Sequence, residues 1–531
     1  MAHAIIFTGQ SPRSYNFDGL GYESSYYSYP SGAYKLASHL RGLGLDVLVV
    51  PSSLNFTLKG IKRIIEQNSK DLLWVGISTT FFATASSKFT AYRQVWANSD
   101  KDMISIELLS DTIQDHTAVT ELVWGTAEIY RLSSFLESKY RVPLLIGGAW
   151  VTGVRNGNLT HIHKNCHIVT GYAEKFVEDF TVSRLRDQTA DVPYLVSNDN
   201  YDSKGFKQST IDWTAKDLVD ALAWFPLEVS RGCAFNCAYC SYEHKNSLDM
   251  FKDPKILRDE LIRNYEVHGI DKYYLIDDLY NDSKRKVRVL YDEVWSRLPF
   301  KIEWASFMRL DLIWSDPESA EIIKASGAKI GSFGIETLHD RAGRKVGKGL
   351  GKERIIETLE NLKKVWANDV LIHAFFIAGL PDEPKESIEA TMAWTESTDL
   401  LYSVSWAPLW ITPPDSKTFV LEQNMNAIDA DNDKYGIDWI SANNWINQQG
   451  VTFAEVSKMC TDFHNNSTRN CSHGIRITFS DYANLRTAGM THDDIVELKG
   501  MANSRGRINS FLENVREKID RRLHLVLELK D

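Results

Sequence analysis

The sequence predicts an α/β protein in three parts: a doubly wound parallel sheet in the first third, a second series of strand–helix units in the middle, and a small helical region at the end. Three observations carry this expectation. Short apolar runs alternate with amphipathic helices from Ala4 to beyond Glu174, and that alternation builds a parallel sheet with helices on its faces. Six more strand–helix units follow between Trp224 and Ile411. From Phe419 Asn and Asp become frequent, and helical spacing appears at Phe453–His464 and Asp493–Leu525. The expected boundaries are a first domain at 1–180, a linker at 181–222, a second domain at 223–420 and a helical C-terminal domain at 421–531.

Ala4–Thr8 reads as the first strand, and Gly32–Gly42 as a helix. Asp46–Val50 is a second strand, closed by Pro51, and Leu58–Gln67 places Leu58, Ile61, Ile64 and Ile65 on one helical face. Asp71–Ser78 is the third strand; Phe82–Thr120 looks like a polar insertion. A helix at Val123–Tyr140 leads to strands at Pro143–Gly148 and Cys166–Thr170, then to a helix from Glu174. Neither a dinucleotide-type nor a P-loop glycine signature occurs. Such sheets bind ligands at the carboxyl ends of their strands. Those ends carry Thr8, Ser78, Thr79, Gly147, Gly148 and Gly171, small or hydroxylic residues that leave room for a bulky ligand and offer its edge hydrogen bonds.

A chain of 531 residues holds two or three domains. Its 43% hydrophobic and 24% charged residues are ordinary for a globular protein, and a net charge of −10 argues against nonspecific nucleic-acid binding. No run of eighteen apolar residues predicts a membrane span, and the start lacks the basic and long apolar segments of a signal peptide. Cys166, Cys460 and Cys471 are scattered singles, expected to be buried thiols.

The other three cysteines are crowded. Cys233, Cys237 and Cys240 lie in Ser-Arg-Gly-Cys-Ala-Phe-Asn-Cys-Ala-Tyr-Cys-Ser, with spacing C-x3-C-x2-C. Three thiolates so close can wrap one corner of an iron–sulfur cube. A [4Fe–4S] cluster usually takes four cysteines, so with no local fourth one iron stays open. A zinc site would want four ligands; His244 offers a fourth, at a spacing uncommon for fingers. A disulfide framework is disfavoured by six cysteines in a chain of this length.

The cysteine spacing, with Tyr239 just before the last cysteine, resembles the radical S-adenosylmethionine (SAM) superfamily. The resemblance implies that Cys233, Cys237 and Cys240 hold a [4Fe–4S] cluster, that SAM chelates the open iron, and that reduction splits SAM to a 5′-deoxyadenosyl radical. Trp224–Ser230 is the strand feeding the loop, with Gly232 and Asn236 allowing it to bend. A helix over Asp253–His268 precedes the strand Tyr273–Ile276, which ends at Asp277-Asp278. In the family a carboxylate or carbonyl there accepts from the SAM ammonium, which implies Asp277 or Asp278; the other reading is an N-cap for the helix near Lys284. Strands follow at Trp304–Asp311, Lys329–Glu336, Ile372–Glu383 and Val404–Ile411. By the same resemblance Arg309 and Asp311 make polar contacts to SAM, and Glu336 meets its ribose or amino-acid end. Asp382 stands where the family's turn usually has glycine. The six units fit the partial (β/α)6 barrel of the superfamily.

Val75–Ser78, Leu144–Gly148 and Thr170–Glu174, ahead of that core, resemble the cobalamin-binding domain of the B12-dependent radical SAM enzymes. The D-x-H-x-x-G signature of His-ligating cobalamin proteins is absent; His39 lies within a predicted helix and reads as a surface residue. The resemblance implies a cobalt whose lower face has no His ligand. It also implies a cytoplasmic enzyme that methylates an unactivated carbon of a small-molecule or peptide substrate, using methylcobalamin and a flavodoxin- or ferredoxin-type electron donor. Radical cyclisation or rearrangement, with or without cobalamin, is the alternative. Methylthiotransferases need three more N-terminal cysteines than Cys166 supplies.

Overall fold

In the computed structural model the described residues are 2–9, 27, 29–79, 89–104, 126–148, 165–171, 173–186, 195–198, 203–240, 250–277, 279–411, 426–441, 444–467, 477–499, 501 and 504–529. The chain forms two compact units, Met1–Asp220 with Leu512–Asp531, and Ala221–Phe511.

The first unit is built on a six-stranded parallel sheet. Its strands are β1 (Ala4–Thr8), β2 (Val47–Val50), β3 (Trp74–Ser78), β4 (Leu144–Gly147), β5 (Cys166–Gly171) and β6 (Leu195–Asn198), in the order β2-β1-β3-β4-β5-β6. The chain leaves β1 for β2 on one side and then crosses to β3 on the other. The topological switch point therefore lies between β1 and β3, where such sheets open a ligand crevice. Register brings Thr8 beside Ser78 and Ser78 beside Gly147, one row across three strand ends.

Local sequence explains the packing. The helix Leu58–Gln67 is capped by Thr57, which accepts from the Gly60 N–H, and it buries Ile61, Ile64 and Ile65. Gly60 allows close approach: a Cβ there would sit 2.0 Å from the Asp102 carbonyl oxygen. Trp74 is buried with its indole N–H donating to Thr181 Oγ1 at 2.9 Å. The last twenty residues belong to this unit rather than to a separate helical domain. There the buried Arg522 guanidinium lies 4.0 Å from the Tyr27 ring centroid and donates to Ser52 Oγ at 3.2 Å.

The segment 181–222, read above as a linker, supplies the end of the helix Glu174–Leu185 and the edge strand β6, paired in parallel with β5. Four residues are too few to show a period, and their polar flanks hide them.

The second unit carries six parallel strands in chain order: β7 (Phe225–Leu227), β10 (Lys272–Leu275), β11 (Glu303–Met308), β12 (Ala328–Glu336), β13 (Leu371–Ala378) and β14 (Ser403–Pro408). The short strands β8 (Ser230–Arg231) and β9 (Met250–Phe251) pair antiparallel beside them. Among the described residues no pairing closes β7 onto β14, so the barrel is open. Trp304 and Phe333 face the helix layer: the Trp304 indole donates to Ser326 O at 2.9 Å and Phe333 stacks on Trp366. Tyr274, Ala305, Phe307, His373, Phe375 and Ser405 share the opposite, inner face. The helix Phe479–Thr487 closes the amino-terminal end. Its Arg486 pairs with Glu303 at 2.8 Å, Thr487 Oγ1 accepts from the Trp224 N–H at 3.2 Å, and Phe479 packs edge-on against Phe307. The carboxyl end is left for chemistry.

The region expected to be helical also contains a hairpin, β15 (Ile437–Ser441) with β16 (Asn444–Asn447). The helical pattern Asp493–Leu525 is two helices, His492–Leu498 and Ser504–Glu528. Among the described residues no helix is long and apolar enough to cross a membrane.

Candidate active site

The cysteine loop leaves β7 at the carboxyl end of the open barrel. Gly232, at φ 94°, takes the left-handed turn that starts it. Cys237 is buried, and Cys233 and Cys240 are half-buried. The Cys240 N–H donates to Cys237 O at 3.1 Å, folding the last two cysteines into one turn.

Three side chains from three different strand ends brace this loop. At its root, Asp277 Oδ1 accepts from the Val229 and Ser230 N–H groups at 2.8 and 2.9 Å, and Oδ2 accepts from Ser230 Oγ at 3.0 Å. Ser230 Oγ in turn accepts from Lys286 Nζ at 2.5 Å, and Lys286 pairs with Asp282 at 3.3 Å. Burial pushes the Asp277 carboxyl up to about 6, with Lys286 and the N–H donors pulling the other way. At the middle, Arg309 donates to Cys237 Sγ at 3.2 Å. At the far side, the Tyr239 hydroxyl donates to Glu336 Oε1 at 2.7 Å, and Lys348 Nζ lies 3.5 Å from the same oxygen. Burial first, and the Glu336 carboxylate second, hold the Tyr239 phenol well above its usual range, so it is the donor. Glu336 has φ 69°, a left-handed conformation uncommon outside glycine, which sits where β12 shifts register against β13.

Asp277, Arg309 and Glu336 thus converge on the cysteine loop, Glu336 through the loop's own Tyr239, while Asp278 lies outside the described residues. Lys286, Asn281 and Lys348 also belong to the site, and nothing local in the sequence marks Lys286 or Asn281. Each acts across 28 to 56 residues of chain, and no local pattern marks such a pairing. Asp382, where glycine is usual, has φ 65°. The turn keeps the glycine-type backbone, and the aspartate is held there by Lys345 and Arg341 at 3.2 and 3.1 Å.

The donor set fits a cluster. Among the described residues no three His, Cys, Asp or Glu side chains converge on a single ion. A cubane asks instead for one thiolate per iron at separate corners, and the loop carries three thiols within eight residues, one of them already accepting a cationic N–H.

In the first unit the six predicted residues stand at strand ends. Thr8 is buried and its hydroxyl is used locally, donating to Gly9 O at 3.2 Å. Ser78 is half-buried. Thr79 is 2% exposed, and its hydroxyl has no hydrogen-bond partner among the described residues. Gly148 and Gly171 have φ 101° and 75°, which only glycine adopts readily. A buried orphan hydroxyl beside the switch point, flanked by side-chain-free turns, fits the edge of a large flat ligand. His39 lies on the helix Ser31–Gly42 and meets Glu178 at 2.9 Å, away from the strand ends.

The turn after β13 also holds a buried acid. Glu383 is 1% exposed; one oxygen accepts from Thr337, and the other has no partner. Burial pushes it up to about 8 from an ordinary value of 4.5. The unfolded chain ionises first as pH rises, so stability present below pH 4.5 is lost on the way to pH 8. The loss has a ceiling of about 1.4 kcal/mol per pH unit. We expect the thermal midpoint of Glu383→Gln to fall less than wild type between pH 5 and 8; parallel curves would remove Glu383 as the cause.

Residues 227–395 match the family described as the Radical SAM superfamily. A methyltransferase of Pyrococcus horikoshii, named as uncharacterized, is 27% identical over 196 residues, 35% of this chain and 40% of that protein. The anaerobic magnesium-protoporphyrin IX monomethyl ester cyclase of Cereibacter sphaeroides is 28% identical over 188 residues, 35% of this chain and 30% of the cyclase. The chain therefore spans less than half the length of these relatives. Among solved structures, the radical SAM methyltransferase TsrM from Kitasatospora setae, with cobalamin and a [4Fe–4S] cluster bound, superposes with TM-score 0.60 at 12% identity, covering 98% of this chain and 100% of TsrM. The open barrel and its cysteine loop are the part of the chain that is similar to the Radical SAM superfamily. Its fold is similar to that of TsrM.

Proposed function

We propose that the protein is a cobalamin-dependent radical SAM methyltransferase acting on an unactivated carbon. One observation carries the reading: a three-cysteine loop braced at the carboxyl end of an open parallel barrel, in a chain whose first sheet leaves an orphan hydroxyl at its switch point. Cys233, Cys237 and Cys240 would hold the cluster; Thr79, Ser78, Gly147, Gly148 and Gly171 would line the corrin, and Thr8 would form its floor. When bound, these groups and SAM supply a hydrogen-atom abstractor and a methyl donor, which a carbon lacking a nucleophilic lone pair requires. The residues described above do the protein's share. Asp277, Arg309 and Glu336 fix the loop, Phe479 and Arg486 seal the amino-terminal end of the barrel, and the aromatic inner face of Phe307 and Phe375 keeps water from the reacting carbon.

The reading places the enzyme in the cytoplasm, where thiols stay reduced and a flavodoxin or ferredoxin can deliver electrons. The net charge of −10 gives no surface for nucleic acid in general. The likeness to a cyclase supplies the second reading, ring formation with the same radical. Anaerobic purification and reconstitution, with iron and cobalt counts and a visible spectrum, tests both. Four irons and one cobalt per chain are expected. Four irons without cobalt would remove the methyl carrier and favour the cyclase-type reaction.

A further inference from the structure

We infer that Arg309 is a positioning residue for the cluster, holding Cys237 and setting the reduction potential, rather than a ligand of SAM. The inference rests on the proposed cluster site and deepens it. Arg309 is 5% exposed. Its Nε and Nη2 form a bidentate pair with Asp311 at 2.9 and 2.7 Å, and Nη2 also reaches Gly347 O at 3.4 Å. Its Nη1 donates to Cys237 Sγ at 3.2 Å. Four of the five guanidinium N–H groups are thus directed at protein atoms. The guanidinium carbon lies 3.7 Å from the centroid of the Phe235 ring, inside the cysteine loop itself. The backbone is pinned as well: Asn281 Oδ1 accepts from the Arg309 N–H at 2.8 Å and Asn281 Nδ2 donates to Arg309 O at 2.9 Å.

This geometry has one chemical consequence. A cation donating an N–H to a ligand sulfur favours the more negative, reduced state of the cluster, and hydrogen bonds to sulfur are among the levers that set such potentials. Arginine suits the post because its planar fork satisfies Asp311, Cys237 and Phe235 at once, which lysine's point charge does not. Asp311 completes the device by orienting the fork.

The test compares wild type, Arg309→Met, Arg309→Lys and Arg309→Gln after anaerobic reconstitution, by iron count, by redox titration followed by electron paramagnetic resonance, and by SAM titration. Wild type must hold four irons; if it does not, the cluster reading fails and not this one. Arg309→Met is expected to have a more negative midpoint potential, with Arg309→Lys between it and wild type. Arg309→Gln, which keeps amide N–H donors without the charge, covers the case in which Arg309→Met does not fold; it is expected to shift in the same direction. Wild-type potentials in the folded variants would overturn the inference. So would an unchanged potential with SAM affinity lost, the signature of a direct SAM ligand.

Discussion

Changing Cys233, Cys237 and Cys240 together to Ala is expected to leave a folded protein that holds no cluster iron and cleaves no SAM. The fold should survive because the loop's backbone does not depend on its thiols. Asp277 holds its root through main-chain N–H groups, the Ala238 N–H donates to Val346 O at 3.0 Å, and the Ile428 N–H donates to Ala238 O at 3.1 Å. Cys233 and Cys240 are only half-buried, so trimming them removes little packing. The metal is another matter. A cluster needs deprotonated thiolates as ligands, and no other His, Cys, Asp or Glu trio among the described residues stands ready to replace them. Circular dichroism and thermal midpoint should match wild type within a few degrees, while iron after reconstitution drops to background. Retained SAM cleavage by the triple variant would refute the assignment outright.

Much of this could be read from the sequence because its signals were local. Ala4–Thr8, Val47–Val50 and Trp74–Ser78 are apolar but for the terminal Thr8 and Ser78, as strands buried on both faces should be. The cysteines are spaced within eight residues, so their chemistry is written in one line of sequence. What failed to show was long-range or short. Strand β6 has four residues and borrows its stability from β5. The hairpin of β15 and β16 hid in an Asn- and Asp-rich stretch. Its reason for being is tertiary: the Trp445 indole donates to Leu409 O at 3.0 Å, and Asn447 donates to Leu380 O and Glu383 O at 3.2 and 3.0 Å. Gly379 makes room for that tryptophan, since a Cβ there would lie 2.3 Å from its ring. The family resemblance pointed at Asp277, Arg309 and Glu336 through SAM. The structure brings all three to the cysteine loop, by contacts that span 47 to 97 residues of chain.

Asp277→Ala should be among the most damaging single changes in the second unit. The carboxylate is 3% exposed and accepts three hydrogen bonds from the start of the cysteine loop. Removing it strips two main-chain N–H groups of their acceptor in a buried site, and each orphaned donor costs about 1–3 kcal/mol. It also takes a counter-charge from the neighbourhood of Lys286, whose ammonium has no exposure at all. Breaking a buried charge pair costs about 3–5 kcal/mol, although Asp282, 3.3 Å from Lys286, softens the loss. The sum is a large share of the roughly 5–15 kcal/mol that holds a domain together. Asp277→Asn keeps the oxygen that both N–H groups use, so it should lose far less stability. Its amide would put a donor where Ser230 Oγ had an acceptor, and Ser230 Oγ already accepts from Lys286 Nζ at 2.5 Å. Urea unfolding should therefore rank wild type first, Asn next and Ala last, with iron retention in the same order. Equal midpoints for Ala and wild type would show that Asp277 does not anchor the loop. Equal midpoints with SAM binding lost would return this carboxylate to the ammonium of SAM.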